Sequence, residues 1–315
     1  MVPTSTKLVV FGATGQQGAS ILTTLASHPT LSQQYSLRGI TRDASKPKPQ
    51  SLAAQGIEIV EADLNDPSTL PAAVKGAHTV ILITETQYVS DLKERETTQA
   101  KNVIDASLKA GVQFFVFSTA VHACTLWDGG AVDQFDVKAE IESYIRESNF
   151  PLGSAFIAPG MFMQNLVTVM KPRKNEDGSY VVAGVNDPQT KIPMIDAAGD
   201  SGSYLLPILL HPEEAKGKVI YASSGMYSYT DMARIISDVS GERLEYVQLP
   251  GDVYKGFMHE EMGGRLVAMM SFINDPGYYG PGTGEKVRET VEIVESVGGK
   301  LTSFEEFAER NFKIL

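Results

Sequence analysis

The 315-residue chain has little of what staples small proteins together or carries them into membranes. It has one cysteine, Cys124, which excludes an intrachain disulfide and fits a reducing compartment. No basic residue flanks Cys124 to depress its pKa, so it reads as a packed or bystander thiol rather than a nucleophile. Long hydrophobic runs are missing, and stretches such as Phe114–Phe117 are far too short to cross a bilayer. The stretch Met1–Lys7 has no apolar signal-peptide core. These absences predict a cytoplasmic chain, with the nucleus open as a second compartment. Positive charge is also scarce: 27 Lys and Arg stand against 38 Asp and Glu, a net charge of −11. The densest basic stretches, Lys46-Pro-Lys48 and Lys171-Pro-Arg173-Lys174, are short and broken by proline, so direct nucleic-acid binding is not expected. The histidines, His28, His78, His122, His211 and His259, show no paired ligand spacing, and no metal is expected.

What the chain does have is a glycine turn close to its start. The apolar run Leu8–Phe11 leads into Gly12-Ala13-Thr14-Gly15-Gln16-Gln17-Gly18, and a helical apolar pattern (Ile21, Leu22, Leu25) follows. A buried strand, a tight turn and a helix start bring bare N–H groups and the positive end of a helix dipole to one place. That is a diphosphate site, and it predicts a dinucleotide ligand. The spacing is G-x-x-G-x-x-G rather than the stricter G-x-G-x-x-G, and glycine for positive φ alone is the competing explanation.

The first half alternates buried-strand and helix patterns. The strands are expected at 7–11, 36–41, 57–61, 79–84, 114–118 and 152–158, and the helices at 16–27, 67–74, 88–110 and 133–148. Such alternation implies an α/β fold: a doubly wound parallel sheet of the Rossmann kind, covered on both faces. The second half is less regular. Helices are expected at 161–170, 200–210, 230–240 and from Thr302 or Ser303, and strands at 179–183 and 218–222. Ser228-x-x-Asp231 and Ser303-x-x-Glu306 match capping boxes. The plan is a nucleotide-binding core over residues 1–160 and a smaller α/β lobe over 161–315, with 196–223 returning to the core.

The residue after the second strand selects the nicotinamide. Here it is Arg42, a fork of donors suited to a 2′-phosphate, with Lys46 and Lys48 beyond; this favours NADP(H). Asp43 keeps NAD(H) open, because it could pair with Arg42 or face a ribose itself. Asp63 and Leu64, after the third strand, are candidates for the adenine, and Asp63 could equally cap the following turn. Thr84, Glu85 and Thr86 end the fourth strand on the same ligand-binding edge.

These residues resemble the NmrA-like group of atypical short-chain dehydrogenase/reductases. The resemblance rests on the glycine turn, Thr41-Arg42, Phe135-Asp-Val-Lys138-Ala-Glu-Ile-Glu142-Ser-Tyr144, Pro159-Gly-Met-Phe162-Met-Gln-Asn165 and Leu301-Thr-Ser-Phe-Glu-Glu-Phe. It implies a Rossmann core with a small C-terminal lobe, NADP(H) in the cleft, Lys138 near the nicotinamide ribose, and Phe162 to Asn165 lining the same cleft. Ordinary members of the wider superfamily use Tyr-x-x-x-Lys; here Gln134 stands four residues before Lys138 and cannot transfer a proton. Tyr144 lies six residues after Lys138, on the wrong face. The resemblance, through isoflavone-reductase-like relatives, implies Lys138 itself as the candidate catalytic group, donating a proton or polarising a carbonyl, with an ordinary ion pair to Glu142 or Glu140 as the competing explanation. His122 is a second, weaker candidate for acid–base work.

Two functions follow. One is a nicotinamide-redox-responsive regulator acting through a protein partner, with the Val121–Gly130 loop as a mobile segment. The other is an NADPH-dependent reductase of a small conjugated carbonyl, quinone or imine. In that reading Met161, Phe162, Met163 and Tyr227 form an apolar pocket wall, unless they are ordinary core.

Overall fold

The structure, a computed structural model, describes residues 5–314. Met1–Thr4, part of the N-terminal stretch discussed above, and Leu315 lie outside the described residues. The first strand, β1 (Thr6–Phe11), is buried on both faces, as a central parallel strand must be. Leu8 and Val10 pack into one hydrophobic layer, and Val9 and Phe11 into the other. Next come β2 (Tyr35–Thr41), β3 (Glu58–Glu61), β4 (Ala77–Leu82), β5 (Phe114–Ser118) and β6 (Gly153–Pro159). Four shorter strands follow: β7 (Met161–Phe162), β8 (Arg173–Lys174), β9 (Tyr180–Gly184) and β10 (Ile192–Ile195). The last three are β11 (Val219–Ala222), β12 (Gly225–Tyr227) and β13 (Leu244–Gln248).

Seven strands form one sheet in the order β11-β6-β5-β4-β1-β2-β3, and every pair in it is parallel. This is the doubly wound α/β architecture that the alternation predicts. The chain runs outward from β1 to β3, then returns to the other side of β1 at β4. The resulting switch point, between β1 and β4, opens a crevice at the carboxyl ends of the strands.

The later segments divide between this sheet and a second core. Val219–Ala222 extends the sheet beside β6. The short helices Ala197–Asp200 and Leu206–Leu210 lie on the core, where Ser20 donates to the Gly199 carbonyl at 3.0 Å and Gly202 N–H donates back to Ser20 at 3.2 Å. The sheets β12-β10-β7 and β13-β9-β8 share a separate hydrophobic cluster with helices Tyr229–Ser240 and Phe304–Asn311.

Some expected elements differ. Residues 161–170 are not a helix: Met161–Phe162 pair with β10, and only a 3-10 turn (Met163–Val167) follows. Residues 200–210 are broken rather than continuous, into the end of Ala197–Asp200, a 3-10 turn (Ser203–Leu205) and Leu206–Leu210; Gly202 packs against the first helix, where a Cβ would lie 2.2 Å from Thr24 Oγ1. The long helix begins at Leu92 instead of Tyr88, leaving 83–91 as irregular chain along the crevice. Helices Pro47–Ala53, Glu260–Asn274 and Thr283–Ser296 are additional to those expected, and the last of them buries Val287, Thr290 and Val294 at helical spacing.

Both capping boxes form, at Ser228/Asp231 and Ser303/Glu306. Ser228→Ala removes the side chain that accepts from Asp231 N–H and should lower unfolding free energy by about 0.5–2 kcal/mol in urea titration.

Candidate functional site

A cleft of about 760 Å³ runs along the carboxyl ends of β1 to β6. Its floor is the glycine turn. Gly12 has φ +78°, and a Cβ there would sit 2.7 Å from the Ile83 carbonyl. Gly18 is tighter: its Cβ would lie 2.2 Å from the Gly12 carbonyl oxygen, so the helix start can approach β1 only without a side chain. Gly15 caps the Gln16–Ser27 helix with extended backbone and no side-chain acceptor. The first turn carries no acid, leaving its N–H groups and dipole free for an anion. Thr14, Gly15, Gln16, Gln17 and Gly18 all line the cleft. Gln17 accepts from Ser118 Oγ at 3.1 Å, which fixes the turn to β5. The Gln16 Oε1 atom is buried and, among the described residues, has no hydrogen-bond partner.

At one end lie Arg42, Lys46 and Lys48, all exposed and, among the described residues, in no ion pair. Asp43 does not pair with Arg42. It folds back onto Ser45, accepting from its N–H at 2.9 Å and its hydroxyl at 2.6 Å, and those two bonds hold its carboxyl below the usual range. Asp63 lines the cleft while capping the next turn through the Asn65 N–H at 2.9 Å, and Leu64 lies beside it.

At the other end are Thr84, Glu85, Thr86, Ser118, Thr119, Lys138, Pro159 and Phe162. Lys138 makes neither of the helix-surface pairs considered above: Glu140 is taken by Lys93, and Glu142 by Arg146. Instead its ammonium pairs with Glu96, which is 2 % exposed on the Leu92–Lys109 helix, and donates to Thr84 Oγ1 at 3.0 Å. Thr84 and Thr86 donate to the two Glu96 oxygens at 2.6 and 3.0 Å. Burial alone pushes the Glu96 carboxyl up, but the Lys138 charge and the two hydroxyls outweigh it and hold it below the usual carboxylate range. Glu96 was missed in the sequence, although a signal exists. It falls on the buried stripe Leu92, Glu96, Ala100, Val103, Ile104, where a charge is out of place unless paired.

Other residues lie elsewhere. Gln134 is buried and donates to the Arg265 carbonyl at 3.2 Å, away from the cleft. Tyr144 donates to Asp105 at 2.9 Å, between two helices. Asn165 is outside the cleft lining. Met163 is fully buried in the lobe's core, and Tyr227 bonds Glu305 and the Phe304 N–H, so neither forms a wall of the cleft. His122 is also outside the lining, but the structure brings it beside Cys124 and Asp136, a grouping that histidine spacing alone did not reveal.

The residues present fit a dinucleotide. A backbone cradle that a Cβ would fill, an orphaned glutamine oxygen, a free helix N-terminus and three unpaired cations share one cleft. Because the Glu96 carboxyl is held low, its stabilising contribution is present above the pH at which an unfolded glutamate titrates. It is lost as pH falls through the lower native value. Glu96→Gln should cost about 3 kcal/mol at neutral pH, measured by urea unfolding, and should flatten the acid side of the stability–pH curve.

The model of the NmrA-like family matches residues 4–308. An NmrA-like family domain-containing protein of Dictyostelium discoideum is 27 % identical, with 98 % of this chain and 99 % of that protein aligned. An NmrA-like family domain-containing oxidoreductase of Penicillium ochrochloron is 28 % identical, over 78 % of this chain and 76 % of its own length. Among solved structures, NmrA, a negative transcriptional regulator in complex with NADP, superposes with a TM-score of 0.80 at 21 % identity, covering 98 % of this chain and 95 % of that one. The NADPH-dependent quinone oxidoreductase of Escherichia coli, complexed with NADPH, gives a TM-score of 0.74 at 22 % identity, covering 96 % and 99 %. With a cleft of this construction and a family match across nearly its whole length, the chain belongs to the NmrA-like family.

Proposed function

We propose that this chain binds NADP(H) in the cleft and acts as a nicotinamide-redox-responsive regulator through a protein partner. The unpaired group Arg42, Lys46 and Lys48 beside the glycine turn carries the cofactor reading. The N–H groups at the start of the Gln16–Ser27 helix would hold the diphosphate, with Gly12, Thr14, Gly15 and Gly18 giving it room. Arg42 and Lys46 would take the 2′-phosphate, and Asp63 and Leu64 would flank the adenine. Thr84, Glu85, Thr86, Lys138 and Phe162 would surround the nicotinamide riboside. Complexes of two proteins of the same fold, one with NADP and one with NADPH, support the choice of cofactor.

The regulatory reading rests on the Lys138 end. Gln134 faces away, and the methionines and tyrosine that would make an apolar substrate wall belong to the lobe's core. A bound nicotinamide carries hydride chemistry by itself, but no tyrosine among the described residues lines the cleft to manage a proton. A sensor must discriminate between the two redox forms.

Calorimetry should give tighter binding of NADP⁺ than NAD⁺. Arg42→Ala should weaken NADP⁺ by about tenfold or more, roughly 1.4 kcal/mol, and leave NAD⁺ nearly unchanged. Gly18→Ala should remove both. The regulator should bind NADP⁺ and NADPH with different affinity and oxidise no NADPH against a quinone and enone panel. Equal affinities would end the sensor reading.

The reductase is the second reading, favoured by Lys138 and Phe162 facing one end of the cleft and by relatives named oxidoreductases. Steady NADPH oxidation that disappears in Lys138→Ala, with nucleotide binding retained, would establish it.

A further inference from the structure

Asp136 sits in the first turn of the Asp133–Glu147 helix and is fully buried. A buried carboxylate needs a cation or a full set of donors. Asp136 accepts from the Cys124 N–H at 3.0 Å and the Val132 N–H at 2.8 Å, one on each oxygen. Among the described residues it makes no salt bridge with Lys or Arg. Lys93, whose charge is felt in this region, is committed to Glu140. The Cys124 side chain also hydrogen-bonds this carboxylate, which keeps lone-pair capacity beyond these donors and, among the described residues, has no cation to neutralise it.

The turn Ala123–Thr125 delivers two further donor groups to the same spot. His122, in the residue before the turn, is half-buried, and among the described residues no hydrogen bond engages its ring. Cys124 is exposed. The ligand-capable atoms of His122, Cys124 and Asp136 all lie within 4.8 Å of one another. Tetrahedral zinc, with bonds of about 2.0–2.3 Å, places its ligands roughly 3.3–3.8 Å apart. Closing that gap asks only for rotation of an exposed thiol and a loop imidazole. One nitrogen, one sulfur and one oxygen donor suit zinc better than magnesium or calcium, which take oxygen ligands.

We propose that His122, Cys124 and Asp136 form a Zn²⁺ site with a fourth position open to water. The ion would neutralise the buried carboxylate and tie the loop after β5 to the helix that carries Lys138 two residues further on. Thr119, at the start of that loop, lines the cleft and donates to the Lys138 carbonyl at 3.4 Å, so the ion would also brace that end of the cleft.

The test uses the full chain without nucleotide, so its outcome is independent of the cofactor reading. Zn²⁺ titration should show one site, and Co²⁺ should give a thiolate-to-cobalt charge-transfer band with tetrahedral ligand-field absorption. Cys124→Ser should abolish the charge-transfer band, and His122→Ala should weaken Zn²⁺ at least about tenfold. Both variants change residues on an outer loop, and unchanged circular dichroism would show that they fold. Zn²⁺ should raise the melting temperature of the parent chain and not that of Cys124→Ser. Absence of the charge-transfer band, or zinc affinity equal in parent and both variants, would overturn the site and assign any binding to surface carboxylates.

Discussion

Backbone pressed against backbone is the constraint on which the site depends. The start of the Gln16–Ser27 helix approaches the end of β1 so closely that a single Cβ at Gly18 would collide with the Gly12 carbonyl. That approach lays a helix axis along the crevice beside β1 and exposes uncapped N–H groups at its mouth. The positive potential there comes from peptide dipoles rather than side chains, so an overall acidic chain can still hold a diphosphate. Everything else around the cleft is positioned relative to this turn, including Gln17 fastening it to β5.

The second organising interaction is electrostatic. Lys138 projects from one helix and Glu96 from its neighbour, and the two meet under the cleft with Thr84 and Thr86 from the chain after β4. A pair so nearly dry contributes little net stability, since desolvation offsets much of the attraction. What it gives is a fixed direction for one ammonium group. The residue that superfamily chemistry would require as an acid, at position 134, is tied instead to the helix Glu260–Asn274. Among the described residues, that end of the cleft is lined by a fixed cation and by no tyrosine.

The lobe and the core are interleaved rather than strung end to end. Residues 197–210 and 219–222 belong with the large sheet, whereas β9, β10, β13 and the helices Tyr229–Ser240 and Phe304–Asn311 build a core of their own. Tyr227, on β12, packs against that second core, and Met163, in the 3-10 turn after β7, is buried within it.

Read without coordinates, the chain already determined its fold class, its glycine turn, the cation after the second strand and both capping boxes. Each of these depends on neighbours within a few residues: apolar period, positive φ, or a side chain reaching its own backbone. The family resemblance came from the same local stretches. Tertiary structure alone decided which acid meets Lys138, because Glu96 lies 42 positions away and two other acids, Glu140 and Glu142, stood closer along the helix. It also decided that Asp43 turns to Ser45 and not to Arg42, and that His122 and Cys124 share a corner with Asp136. Pairing among charged and polar groups is settled by distance in space and by loss of water, and linear spacing carries neither.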